Sequence, residues 1–140
     1  MPSNDGGPAL FRLVRFWSRR WAKGSEGDAS HAQLVLTVEA VAASGTDGSV
    51  GDVARLLGLD QSGASRMVAA AEAGGYVDRA RAASDARRSA LRLTPGGRAL
   101  LRSARGWQRS TFAELTATWP EEDRDRFAAY LRRLADQVGA

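Results

Sequence analysis

The chain has 140 residues, 44% of them hydrophobic and 26% charged, a balance that suits one globular domain with a buried core. It has no cysteine, which excludes disulfides, thiolate metal sites and thiol redox sensing, and its one histidine, His31, argues against a histidine-built metal or catalytic site. No uncharged run approaches the roughly 18 apolar residues of a membrane span. The stretch from Met1 to Pro8 is polar and Gly/Pro-rich, without the apolar centre of a signal peptide, so the expected address is the cytoplasm. No cofactor, metal or membrane partner is expected.

The net charge of +4 is unevenly spread. Residues 1–24 carry five bases and one acid, whereas residues 25–78 carry two bases and eight acids. Residues 79–109 then hold nine arginines against one acid, a net +8, and residues 110–140 return to −2. A basic block of that density is what a polyanion-binding surface needs.

In chain order, residues 9–23 place Leu10, Leu13, Val14, Trp17 and Trp21 on one helical stripe with arginines interleaved. The polar GSEGD segment ends that helix. Ser30-His31-Ala32-Gln33 reads as a capping box that opens a second helix, carrying Leu34, Val38 and Val41 and stopping near Ala43. After a Gly-rich turn, Ser49 caps a short helix from Val50 to Leu57, and Gly58 supplies a left-handed end. Asp60 or Ser62 caps the next helix, which runs to about Ala73 before Gly74-Gly75. Helix, short glycine-containing turn, helix is the helix-turn-helix pattern.

The period then changes from helical to alternating. Tyr76–Arg79 and Ala90–Leu93 read as two strands joined by a short, polar, arginine-rich segment, a hairpin directly behind the helix-turn-helix. Thr94 caps a long helix with Pro95 at its first position, reaching about Thr118 and presenting Leu101, Ala104, Gln108, Phe112 and Leu115 on one face. Pro120 and three acids open the last helix, whose stripe is Phe127, Leu131, Leu134 and Val138. The expected fold is mainly α with a small β-hairpin wing: a winged helix-turn-helix with flanking N- and C-terminal helices.

This order of elements resembles the multiple-antibiotic-resistance regulator (MarR) family of bacterial winged-helix regulators. The resemblance rests on SDARRSALRLTPGGRALL, similar to the family's Asp-x-Arg pattern followed by Leu-Thr-x-x-Gly (Asp85, Arg87, Leu93, Thr94 and Gly97). It rests also on SGASRMVAAAEAGGYVDR, similar to the family's recognition helix and entry to the wing. It implies one chain, 1–140, with a DNA-binding lobe at 30–97 and dimerisation helices at 9–24 and 97–138.

Double-stranded DNA is the expected partner. In the usual docking, Gln61, Ser62, Ser65 and Arg66 face the major groove. The wing carries Arg79, Arg81, Arg87 and Arg88, and arginine at a hairpin tip suits a narrow minor groove. The resemblance points to Arg87 as the inserting residue and to Asp85 as its orienting partner. Because one helix-turn-helix reads few base pairs, a homodimer on a pseudo-palindrome is expected. Leu10, Trp17, Trp21, Trp107, Phe112, Phe127, Leu131 and Leu134 are candidates for its interface. The resemblance also implies a small aromatic effector, for which Trp17, Trp21 and His31 are the candidate residues.

An enzyme is not expected, since no paired nucleophile and base, phosphate loop or metal cluster is found. The competing reading is a winged helix that binds protein, because Asp52, Asp60 and Glu72 make the helix-turn-helix less basic than its wing.

Overall fold

The computed structural model describes residues 5–24 and 29–140, with side chains at 5–21 and 30–140. Six helices and one hairpin follow in the order α1 (Gly6–Gly24), α2 (Ala29–Ala43), α3 (Val50–Leu57), α4 (Gln61–Ala73), β1 (Val77–Arg81), β2 (Ser89–Leu93), α5 (Pro95–Leu115) and α6 (Glu121–Val138). The architecture is mainly helical with a small two-stranded wing.

The local signals explain most of the boundaries. At α3 the Ser49 side chain accepts from the Asp52 amide at 3.2 Å, while Asp52 accepts from the Ser49 amide at 2.8 Å, a reciprocal capping box. Gly58 ends α3 in the left-handed region at φ 65°, a conformation that costs a residue with a Cβ. Thr94 caps α5 by accepting from the Gly97 amide at 3.0 Å, with Pro95 in the first turn.

Several boundaries differ from those expected. Helix α1 opens at Gly6, because Pro8 is tolerated in a first turn whose amides have no helical acceptor. Ala29 and Ser30 are already helical in α2, so Ser30 stands inside the helix and not at its cap. Of the preceding GSEGD break at 24–28, Gly24 is the last residue of α1 and 25–28 lie outside the described residues. The strands lie one to two residues closer to the wing tip, and α5 ends at Leu115, followed by a turn through Thr118.

The core sits in the middle of the chain and is built from small residues. Val38 and Val41 of α2, Val53 and Ala54 of α3, and Ala64, Val68 and Ala71 of α4 pack with Val77, Leu91 and Leu101. Helix α2 buries Val35, Thr37, Val38, Ala40 and Val41, several faces at once, as befits a helix surrounded by others. The hairpin pairs antiparallel from Val77↔Leu93 to Arg81↔Ser89, and the Leu91 amide also bonds the Gly48 carbonyl at 2.8 Å. That bond attaches the wing to the turn between α2 and α3. By contrast, no residue of α6 is buried, and no described side chain of α1 is.

Candidate nucleic-acid interface

Helix α4 presents its start to solvent because its cap comes from outside it. The Asp60 carboxylate accepts from the Gly63 amide at 2.6 Å, so the Ser62 hydroxyl is not used as a cap. Ala64, Val68 and Ala71 turn one side of α4 into the core. Gln61, Ser62 and Arg66 are exposed and Ser65 is half-buried. Among the described residues, the side chains of Gln61, Ser62 and Arg66 make no hydrogen bond or ion pair and are available to a ligand.

The wing follows within four residues of α4. Its loop closes at Ala82, whose amide bonds the Arg88 carbonyl at 2.9 Å. Inside it, Asp85 accepts from the Arg87 amide at 2.9 Å through its carboxylate and from the Arg88 amide at 3.0 Å through its carbonyl. This is an Asx turn, and it holds the backbone that carries both arginines. Asp85 therefore acts on Arg87 through its main chain, and the Arg87 guanidinium is in none of the ion pairs among the described residues. Arg81, Arg87 and Arg88 are all exposed. Arg79 is engaged differently: its Nε donates to Glu72 at 2.7 Å, bracing β1 against the last turn of α4.

Asp47, in the turn before α3, is a residue that sequence reasoning missed. Its carboxylate accepts from the amides of Ala83 at 2.9 Å and Ser84 at 3.1 Å, across 36 and 37 residues of chain. The Ser84 hydroxyl and these amides, with Arg88 nearby, hold the Asp47 carboxyl below its ordinary 3.8. Asp52 is likewise lowered, first by the Ser49 amide, then by the Ser49 hydroxyl and Arg55. Nothing local in the sequence marks Asp47, since an aspartate beside glycine also suits an ordinary turn.

The second surface lies on α1, α5 and α6. A groove of about 610 Å³ runs between them, lined by Leu10, Leu13, Trp17, Phe112, Phe127 and Leu131 among others. Within it, Phe112 stacks on Phe127 at 5.8 Å between centroids, and Trp119 lies 5.4 Å from Phe127. Trp17 meets Trp107 edge to face at 5.7 Å. Of the candidate interface residues, Leu10 and Leu134 are each 41% exposed, and Trp17, Trp21, Trp107, Phe112, Phe127 and Leu131 are half-buried. Sequence reasoning missed Phe11, Trp119 and Tyr130, which are exposed, the last at 62%. Of Trp17, Trp21 and His31, only Trp17 lines the groove; His31 sits half-buried near the start of α2.

A helix-turn-helix followed by an arginine-bearing hairpin, with long helices on either flank, defines a winged helix-turn-helix protein. Residues 35–88 match the model of the MarR family. The structure is similar over its full length to a MarR family protein from Bacillus stearothermophilus (18% identity, 100% of each chain, TM-score 0.71). It is also similar to the PcaV transcriptional regulator of Streptomyces coelicolor, solved with its natural ligand (24% identity, 97% of this chain and 95% of that one, TM-score 0.63). A third similar structure is Streptococcus pneumoniae FabT in complex with DNA (19% identity, 97% and 94%, TM-score 0.61). Comparison with curated protein sequences finds no match. The fold is that of a winged helix-turn-helix protein, and its central segment is similar to the MarR family. No helix among the described residues is long and apolar enough to cross a membrane.

Proposed function

We propose that the chain is a sequence-specific, double-stranded DNA-binding repressor that acts as a homodimer on a pseudo-palindromic operator. The observation that carries this reading is the unengaged start of α4, where Gln61, Ser62 and Arg66 are exposed, followed directly by a wing with exposed Arg81, Arg87 and Arg88. In the helix-turn-helix docking mode the first set reads base edges in the major groove, joined by Ser65. The wing arginines enter or flank the minor groove, while Arg79 and Asp85 support them from Glu72 and from the Asx turn.

A second copy covers the apolar groove of α1, α5 and α6. Exposed Leu10, Phe11, Tyr130, Leu134 and Val138 on α1 and α6 add to the apolar surface that a partner would cover. The division of labour is then a DNA-binding lobe at 30–97 and dimerisation helices at 9–24 and 97–138. A small aromatic effector releases the DNA; Trp17, Trp21 and His31, all half-buried, offer it partly accessible rings.

The protein-binding alternative drew on the acids of the helix-turn-helix, and these are internally engaged. Asp52 belongs to the α3 capping box, Asp60 caps α4, and Glu72 pairs with Arg79. Each of them therefore has a structural role that accounts for it without a basic partner. The test is fluorescence anisotropy of a labelled duplex at 50 and 200 mM salt. With roughly 6–10 phosphate contacts, affinity falls by about 10³–10⁵ over that range. A salt-independent or absent interaction would contradict the reading.

A further inference from the structure

Arginine wings work only if the arginines are held where the groove will be, and a two-stranded hairpin alone is marginal in water. This wing has little with which to hold itself. From Ala82 to Ser89 it contains alanines, serines and charged residues, and of these only Ala82 is buried. Two backbone amides fasten the loop to the body, and both end on one carboxylate: Ala83 and Ser84 donate to Asp47 at 2.9 and 3.1 Å. Asp47 is itself placed firmly, because the neighbouring Gly48 carbonyl accepts from Leu91 of β2 at 2.8 Å. The fastened residues precede the Asx turn that presents Arg87 and Arg88, so the turn between α2 and α3 holds the base of the arginine-bearing loop.

We infer that Asp47 is a positioning residue for DNA recognition, a pin that fixes the wing so that Arg87 and Arg88 meet the duplex without a further loss of loop entropy. This deepens the proposed function and rests on it. It has an unusual sign. Asp47 is a negative charge beside the surface that meets a polyanion, and it lies near Arg88. If charge alone counted, removing it would tighten binding to any DNA. Pinning requires the opposite for specific sites: Asp47→Asn and Asp47→Ala weaken specific binding although the net charge becomes more positive.

The experiment is a double-mutant cycle on the full chain, using a duplex selected by the wild type and a scrambled duplex at the same salt. Asp47→Ala is expected to weaken specific binding roughly tenfold, the loss of about one read position. Binding to scrambled DNA is expected to hold or tighten. Arg87→Ala should cost much less in the Asp47→Ala background than in the wild type, because both act on one contact. Backbone ¹⁵N relaxation without DNA should show 83–88 rigid in the wild type and mobile in the variant, with the helices unchanged and the melting temperature lowered only slightly. Specific binding as tight or tighter in Asp47→Ala, additive costs with Arg87→Ala, or an unchanged loop would each overturn the pin. A wild type that selects no DNA would instead sink the functional reading on which it rests.

Discussion

The Thr94 hydroxyl donates to the Gly75 carbonyl at 2.5 Å, tying the residue before α5 to the turn that ends α4. Around this bond the two helices are locked together: the Thr94 amide bonds the Tyr76 carbonyl at 3.0 Å, and the same hydroxyl accepts from Gly97. Helix α5 carries much of the proposed dimer surface and α4 the proposed base-reading face. In the proposed dimer, this joint would set how far apart two copies of α4 stand.

Gly97 is the tightest point of that joint. A Cβ there would overlap the Tyr76 carbonyl oxygen and press on Leu93, and backbone cannot yield as a side-chain tip can. Gly97→Ala is therefore expected to destabilise the fold by about 3 kcal/mol, the upper part of the overpacking range, despite alanine's better helix propensity. Urea denaturation measures it; an unchanged midpoint would show that α5 is free to shift.

The two arginine sites should fail differently. Arg66→Ala, on the proposed reading face, is expected to cost about 1–3 kcal/mol on a specific site and to relax the preference at one base position. A wing arginine held to phosphate, such as Arg88, should weaken all duplexes alike and lower the salt slope by about one. Titrations on single-base variants of a selected site separate the two; equal effects on every variant from Arg66→Ala would place it on phosphate.

Association is tested where the apolar surface is most open. Leu10→Asp together with Leu134→Asp alters two positions that are each 41% exposed, so the fold of one chain is expected to survive. Light scattering should then report a monomer, with specific DNA binding lost. Removal of residues 1–24 should give a monomer or an unstable chain. A sound dimer after either change would remove these helices from the interface.

Acid should act through Asp47 and Asp52. Both carboxyls are held below 3.8 in the folded chain, so the stability they lend is fully present above the unfolded value. It is lost as pH falls below 3.8 through the lowered folded values. Urea midpoints should therefore show no pH dependence from this pair between pH 7 and 5 and a decline below about 4. Asp52→Asn should flatten part of that decline. Ser49→Ala, which breaks the same capping box, is expected to cost about 1 kcal/mol at neutral pH.

What the sequence made legible is local. Ser49, Gly58, Asp60, Thr94 and Pro95 act within a few residues of themselves, so their types at their spacings reveal the helix ends and, with them, the helix-turn-helix. The arginines of the wing are legible because they are many and lie between two short alternating runs. Contacts across long separations are not: Asp47 meets Ala83 and Ser84 through the folded turn, and the Glu72–Arg79 bond depends on how β1 leaves α4. Trp119 escaped notice because it stands in the turn before α6, off the period of either neighbouring helix. Ser30 shows the converse, a cap-like pattern inside a helix that begins earlier.

The central claim is that two copies of this chain read a duplex through α4 and the wing. Selection of bound fragments from the source genome by the purified protein, at physiological salt with excess competitor DNA, tests it most directly. An inverted repeat with half-site centres about one helical turn apart is the predicted result. Recovery of fragments with no shared sequence, or of none, would contradict it.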